Sequence, residues 1–458
     1  MDGREIPGFY FDKEKGKYFR ITTEARSAPG YKYTHTNVKK QREHKRNEAE
    51  ETRQFKRRKK QTVVLSQPRS ALSRVYLERE LGIARRGYYL QSVWPGAGIA
   101  EYDSHSVIPP SNIRYFDRGP DLSVLYAVSG ETQILCHDLK EAFPGIRFPA
   151  DTIARMTSPV SSLNFLPASR ALVITTSGSD RPPVVYLTDP ETDGPYVGEQ
   201  FTPRHCTSIW GASPRPDFSV SETGRSVPAT ATEAVAVAAS SNLQLYTRAQ
   251  SGRWECEVLR KSTSDILALT WLSDTAIAMG QRDGKILIYD TRAHGSAHIL
   301  SHSAPISHLR RADDFTRIVC AGLFNTLCTY DMRASKPPVR PEHIPVTKWR
   351  GRNGHPFVGS QCITKFREYR NKDVLELGMD VHSRLGLVAA ANEYGSLKVW
   401  NMYTGALIKK RLNADYEEPR LGETNAAARM RCVRFLEDAD GDVSLWANVD
   451  AGVTRFEW

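Results

Sequence analysis

What this chain lacks is the first guide to it. No run of about eighteen apolar residues occurs anywhere in its 458 residues, so no segment reads as a membrane-crossing helix. The opening MDGREIPG is charged and polar where a secretory leader needs an apolar stretch. The seven cysteines (136, 206, 256, 320, 328, 362 and 432) contain no Cys-x-x-Cys pair and no His/Cys cluster at zinc-ligand spacing. Neither a disulfide framework nor a metal site is indicated, and the expectation is a soluble chain in a reducing compartment with no membrane contact. Catalytic signatures are missing too: there is no Gly-x-Ser-x-Gly elbow, no phosphate-binding loop and no zincin helix, and the twelve histidines are scattered. The segment Asp-Ala-Asp-Gly-Asp at 438–442 begins like a calcium loop but has Val449 where the twelfth-position glutamate belongs, so it reads as a turn. The chain is expected to be no enzyme and to need no cofactor or metal.

Charge of one sign is almost confined to one end. Residues 1–86 hold 23 Lys+Arg against 11 Asp+Glu, or +12; of the chain's 63 and 52 this leaves 40 against 41, or −1, for residues 87–458. A balanced body with a basic amino-terminal arm points to an acidic partner, a nucleic acid or a transport receptor.

From about residue 110 onward a sustained 3.6-residue period is nearly absent, and short β-like runs alternate with turn residues. The clearest unit is SDILALTWLSDTAIAMGQRDGKILIYDTR at 264–292, three runs with Asp283-Gly284 as a tight hairpin turn. The next, 301–333, opens with SHSAPISHL, whose His302 sits where WD repeats carry their Gly-His dipeptide. Its last turn has Asn325 in place of the glycine at Gly284, an exchange that the left-handed region tolerates. The stretch 378–401 has Gly395 at its turn and Trp400-Asn401 at its end, and a closing unit runs to Trp458. Upstream, 113–139, 161–189 and a stretch within 207–248 read the same way. These seven units predict an all-β chain, a seven-bladed WD-repeat β-propeller over 111–458 with one blade completed by a strand from before residue 112.

Two insertions interrupt the pattern. Residues 211–229 are rich in Pro and Ser. Residues 334–372 carry nine Lys+Arg against two Asp+Glu, with Trp349, Phe357, Phe366 and Tyr369 interleaved, and read as a candidate binding loop. Residues 1–110 form a basic, partly helical or disordered extension: a hairpin over 7–21, a charged segment over 38–60 and a short helix over 66–86 with Leu72, Val75 and Tyr76 on one side. The tract Lys56, Arg57, Arg58, Lys59, Lys60 reads as a nuclear localisation signal, a nucleic-acid contact or simply a solvated helix face.

KILIYDTR at 285–292 and TLCTYDMR at 326–333 both end Tyr-Asp-x-Arg, with Asp290 and Asp331 forty-one positions apart. The aspartate after the aromatic of a blade's third strand is turn chemistry. Arg292 and Arg333 lie just past the strand ends, where a guanidinium fork meets carboxylates or carbonyls of a partner. These tandem boxes resemble those of the WD-repeat substrate receptors of cullin-4 ubiquitin ligases, in which the box binds the large DNA-damage-binding adaptor. The opening EIPGFYFDKEKGKYFRI at 5–21, followed by a Lys/Arg/Glu-rich segment, is similar more narrowly to the cullin-4-associated factors of the branch numbered four. Both boxes here have Tyr where that family has Trp. The resemblance implies a non-catalytic substrate-recognition subunit of nuclear, and also cytoplasmic, location. Asp290, Arg292, Asp331 and Arg333 would face the adaptor, the helix at Leu72, Val75 and Tyr76 would insert into it, and a protein target of unknown identity would be presented for ubiquitination. The alternative is a nuclear or nucleolar scaffold in ribonucleoprotein assembly, with the basic arm and the 334–372 loop on nucleic acid and no ligase.

Overall fold

The structure, a computed structural model, describes residues 7–12, 15–23, 32–39, 43–44, 47, 103–108, 111–119, 123–139, 150–166, 168–188, 198–204, 206–216, 233–240, 242–334, 360–409, 429–437 and 443–457. The 66–86 helix with Leu72, Val75 and Tyr76, the Lys56–Lys60 tract, residues 217–229 and residues 335–359 lie outside them. The chain divides into two units, Met1–Arg74 and Val75–Trp458.

In the first unit, Phe9–Asp12 and Lys17–Arg20 pair antiparallel around the turn at Gly16. Tyr33 holds the hairpin from one side: its ring stacks on Phe19 at 4.3 Å and its hydroxyl donates to Asp12 Oδ2 at 2.5 Å.

The second unit is seven four-stranded antiparallel sheets. Blade 1 spans residues 113–155, blade 2 160–201, blade 3 209–261, blade 4 266–301, blade 5 306–365 and blade 6 379–409. Blade 7 joins 433–457 to the strand Asp103–Ile108, which pairs antiparallel with Val453–Glu457. All seven units read in the sequence fall on blades, and the ring is closed by a strand from before residue 112 as expected. That strand lies inside the 1–110 range read as extension, so the propeller begins earlier than residue 111.

Each blade's second strand is buried on both faces, which explains why it reads as an unbroken apolar run. Ala171–Thr176, Ala234–Ala239 and Leu387–Ala391 are buried at every residue. Seven hydrophobic cores result, one between each pair of neighbouring blades. That between blades 3 and 4, for instance, joins Ala236 and Leu243 to Ile266, Trp271 and Met279. Blades approach closely where glycine permits it: a Cβ on Gly280 would stand 2.5 Å from Ile306 Cγ2 of the next blade.

The first strands face a central channel of about 200 Å³. Around it, carboxylates tie blades together in threes. Asp380 of blade 6 accepts from Arg310 Nε of blade 5 at 3.1 Å and from the Phe435 amide of blade 7 at 2.9 Å. Asp117 of blade 1 repeats the arrangement, pairing with Arg434 Nη1 of blade 7 at 3.3 Å and accepting the Phe165 amide of blade 2 at 2.8 Å. The Trp271 indole of blade 4 donates to the Ser213 carbonyl of blade 3 at 2.8 Å. No sequence signal pointed to these links, since their partners lie far apart in the chain.

Part of the 334–372 insertion belongs to blade 5. Thr364–Lys365 is the fourth strand of blade 5, paired with Cys328 and Thr329. Phe366 and Tyr369, counted among the interleaved aromatics of the candidate binding loop, are core residues at 4% and 3% exposure. Both lie edge-on to Trp400, at 6.2 and 6.5 Å between ring centres.

Candidate partner-binding rim

The third strands of blades 4 and 5, Lys285–Asp290 and Thr326–Asp331, occupy the same place in consecutive sheets and run the same way along the ring axis. Their carboxyl ends therefore emerge side by side on one rim. The two boxes have the same local geometry there. Asp290 Oδ1 accepts the Arg292 amide at 2.9 Å, and Asp331 Oδ1 accepts the Arg333 amide at 2.9 Å. In both, the residue between them is held by the preceding turn: the Thr291 amide donates to the Thr275 carbonyl and the Met332 amide to the Thr316 carbonyl, each at 2.8 Å.

The aspartates are thus turn-forming, as such residues commonly are. Blade 6 shows the same turn without the arginine: Asn401 Oδ1 accepts the Tyr403 and Thr404 amides, each at 3.0 Å. Turn chemistry accounts for the acid or amide at this position. It does not account for arginine two residues on.

The guanidinium groups are exposed, at 75% for the Arg292 side chain and 64% for that of Arg333, but they are not held alike. Arg333 lies bidentate on Asp331, with Nε at 2.9 Å from Oδ1 and Nη2 at 2.6 Å from Oδ2. This fixes the fork and leaves its outer nitrogen directed away from the pair. Arg292 reaches Asp290 only at 3.4 Å. The Arg333 side chain and amide hold the Asp331 carboxyl below its ordinary range, and the amide and side chain of Arg292 do the same for Asp290. Beside the second box, Phe315 is 56% exposed in the turn that joins the first two strands of blade 5. Sequence reasoning missed it; a phenylalanine in the polar turn Asp313-Asp314-Phe315-Thr316 was the available signal.

The remaining named positions are internal to the blades. His302 is 1% exposed, with Nδ1 2.8 Å from the Tyr330 hydroxyl and Nε2 2.8 Å from Thr326 Oγ1. Burial pushes its pKa down to about 4. Gly284, Asn325 and Gly395 have φ of 80°, 60° and 82°, the left-handed turn conformation. Asn325 does more than fit: its side-chain oxygen accepts the Asn371 amide at 2.8 Å while its own amide donates to the Asn371 carbonyl at 2.8 Å. Trp400 is fully buried and donates its indole N–H to the Arg367 carbonyl at 2.9 Å.

Among the described residues no group of three or more His, Cys, Asp or Glu is placed to hold a metal ion. No helix among them is long and apolar enough to cross a membrane.

No family model matches the chain, and no curated protein matches it. Solved structures do. The β-propeller domain of Myceliophteria thermophila Cps50 (Swd1) superimposes with a TM-score of 0.51 at 15% identity, covering 78% of this chain and 99% of that one. With 1503 solved chains matching, so widely shared a likeness speaks for the architecture alone, and architecture does not assign a role.

Proposed function

We propose that this propeller is a protein-interaction platform of one particular kind: the non-catalytic substrate-recognition subunit of a cullin-4 RING ubiquitin ligase. In this reading Asp290, Arg292, Asp331 and Arg333 form the surface that meets the large DNA-damage-binding adaptor. The observation that supports it is the pairing of two exposed guanidinium groups on one rim of consecutive blades, over turns that need no arginine, as Asn401 demonstrates. The mechanism is proximity. A target lysine held near the charged conjugating enzyme reacts as if intramolecularly, and the receptor supplies position without chemistry. The Lys56–Lys60 tract serves nuclear import in the same reading.

The test is co-purification of the adaptor with the full chain and with Arg292→Ala/Arg333→Ala, with circular dichroism confirming that the variant is folded. Capture by the wild type and loss by the folded variant is the expected result. Failure of both forms to capture the adaptor overturns the proposal. RNA binding lost on deletion of 38–60 and steeply weakened by salt would then favour the ribonucleoprotein scaffold.

A further inference from the structure

The first strands of five consecutive blades share one irregularity. In blades 1 to 5 the second residue of that strand is a β-bulge, extra to the pairing with the next strand: Arg114, Ser161, Trp210, Leu267 and Ser307. A bulge re-aims the side chain that carries it, and bulges gather beside functional sites. All five residues line the central channel, and their shared register sets them at one level of it. Blades 6 and 7 supply that end of the channel from the segments that enter them, with Glu376 and Arg431.

The ring is polarised. Arg431 and Arg114 are neighbours, because blade 7 packs against blade 1. Trp210 and Leu267 are neighbours on blades 3 and 4, across the channel from the two arginines. The Trp210 ring is held from behind by the Arg282 guanidinium, 5.2 Å from its centre and itself anchored to Asp265 at 2.7 Å. Arg310 and Arg434 line the channel further along, and Glu376 is the sole acid among the described residues of its wall. Asp380 and Asp117, the partners of Arg310 and Arg434, are each less exposed than the arginine they meet. His308 adds no charge at neutral pH, because burial, helped by nearby Arg310, pushes its pKa down to about 4.

We propose that this end of the channel binds a small organic carboxylate, its anionic group between Arg114 and Arg431 and its apolar body, preferentially an aromatic ring, against Trp210 and Leu267. Arg114 commits one nitrogen to Glu131 at 2.7 Å, and Arg431 one to Glu376 at 2.5 Å. A guanidinium carries five N–H donors, so both forks keep donors for a further acceptor. A volume of about 200 Å³ is smaller than the sites that take drug-sized ligands and suits a molecule the size of one side chain. Glu376, half exposed, competes with the ligand for Arg431 and turns to solvent when displaced. The site is on the face opposite the two boxes: in an antiparallel meander the first strand begins at the end of the sheet away from where the third strand finishes. It is independent of the ligase reading.

The experiment titrates the full chain with phenylacetate, phenylacetamide and phenethylamine, which share one ring and differ in charge, and follows binding by ligand-observed NMR at neutral pH. Phenylacetate should bind saturably, in the millimolar range that so small a ligand allows. The amide should bind about tenfold more weakly, and the amine should not bind. Arg114→Gln and Arg431→Gln should each weaken phenylacetate binding about tenfold. Glu376→Gln, which releases Arg431, should tighten it several-fold. Circular dichroism of each variant confirms its fold, and the charge series on the wild type needs no variant. Phenethylamine binding as tightly as phenylacetate overturns the inference, as does weaker phenylacetate binding by Glu376→Gln or the absence of saturable binding by the wild type.

Discussion

Asp380 accepts from Arg310 Nε at 3.1 Å with one carboxylate oxygen and from the Phe435 amide at 2.9 Å with the other, so one side chain of blade 6 is bonded to both neighbouring blades. Asp117 links blades 7 and 2 through a single oxygen, Oδ2, which meets Arg434 Nη1 and accepts the Phe165 amide. Removing such a carboxylate leaves a cation and an amide without their acceptor at the channel wall. Asp380→Ala should cost about 2–4 kcal/mol, because the stranded partners lose more than the pair itself contributes. Asp380→Asn, which keeps an oxygen for the Phe435 amide, should cost less. Urea denaturation of the three proteins measures the order.

Stability should also fall in mild acid. His302 is neutral and buried with a pKa lowered to about 4, while an unfolded histidine titrates near its ordinary 6.5. Below that value the unfolded chain binds the proton first, so stability is fully present above about pH 6.5 and is lost as pH falls toward 4. The whole effect for this residue is on the order of 3 kcal/mol. His308 and His382, both lowered to about 4 chiefly by burial, add in the same direction. Melting temperatures between pH 7 and 4 should decline steadily, and His302→Gln should decline less steeply. Equal slopes would remove His302 from the account.

Asn325 separates a conformational requirement from a bonding one. Asn325→Gly keeps the φ of 60° without strain but removes the oxygen that accepts the Asn371 amide. It should cost about 1 kcal/mol, the net value of one hydrogen bond. Asn325→Ala loses the bond and also strains the left-handed backbone, for a total of about 2 kcal/mol. Thermal melts that rank Gly below Ala would contradict this division.

The repeated boxes were legible because a turn motif at a fixed place in a repeat survives in linear sequence, and Asp283-Gly284 marks its hairpin. Continuous apolar second strands such as Ala234–Ala239 gave the blades away for the same reason. What was hidden is contact across distance: Arg310 with Asp380 and Arg434 with Asp117 join residues that nothing local associates. Phe366 and Tyr369 were hidden differently, by composition. Lys365, Arg367 and Arg370 surround them in sequence, and the average charge of the stretch concealed that the aromatics turn inward to Trp400.

Asp331→Asn tests what fixes the Arg333 fork. Asn401 shows that an amide forms this turn equally well, so the fold should change by no more than about 0.5 kcal/mol. The bidentate anchor is lost, however, and a freed side chain must be ordered on binding. In the reading proposed above, adaptor affinity should weaken several-fold in a titration while the melting curve stays in place.

Phe315→Ala should behave in the same sense and more strongly. At 56% exposure the ring contributes little to the fold. An aromatic beside a fixed arginine is the kind of residue that dominates an interface, and if the rim meets the adaptor as proposed, its loss should weaken that binding by about 1–2 kcal/mol, roughly tenfold. An unchanged affinity would place the contact surface elsewhere on the rim.

The pairing of Asp103–Ile108 with Val453–Glu457 has a consequence for synthesis. Of the ring's strands the closing one leaves the ribosome first, and its partner last, with 348 residues between Ile108 and Glu457. At about 5–20 residues per second, the early strand waits tens of seconds for its neighbour. Through that interval it presents unpaired amides and carbonyls to whatever is near. Chaperone demand should therefore concentrate at the two ends of the propeller sequence, and a message truncated anywhere before its last strand should yield an aggregation-prone open ring.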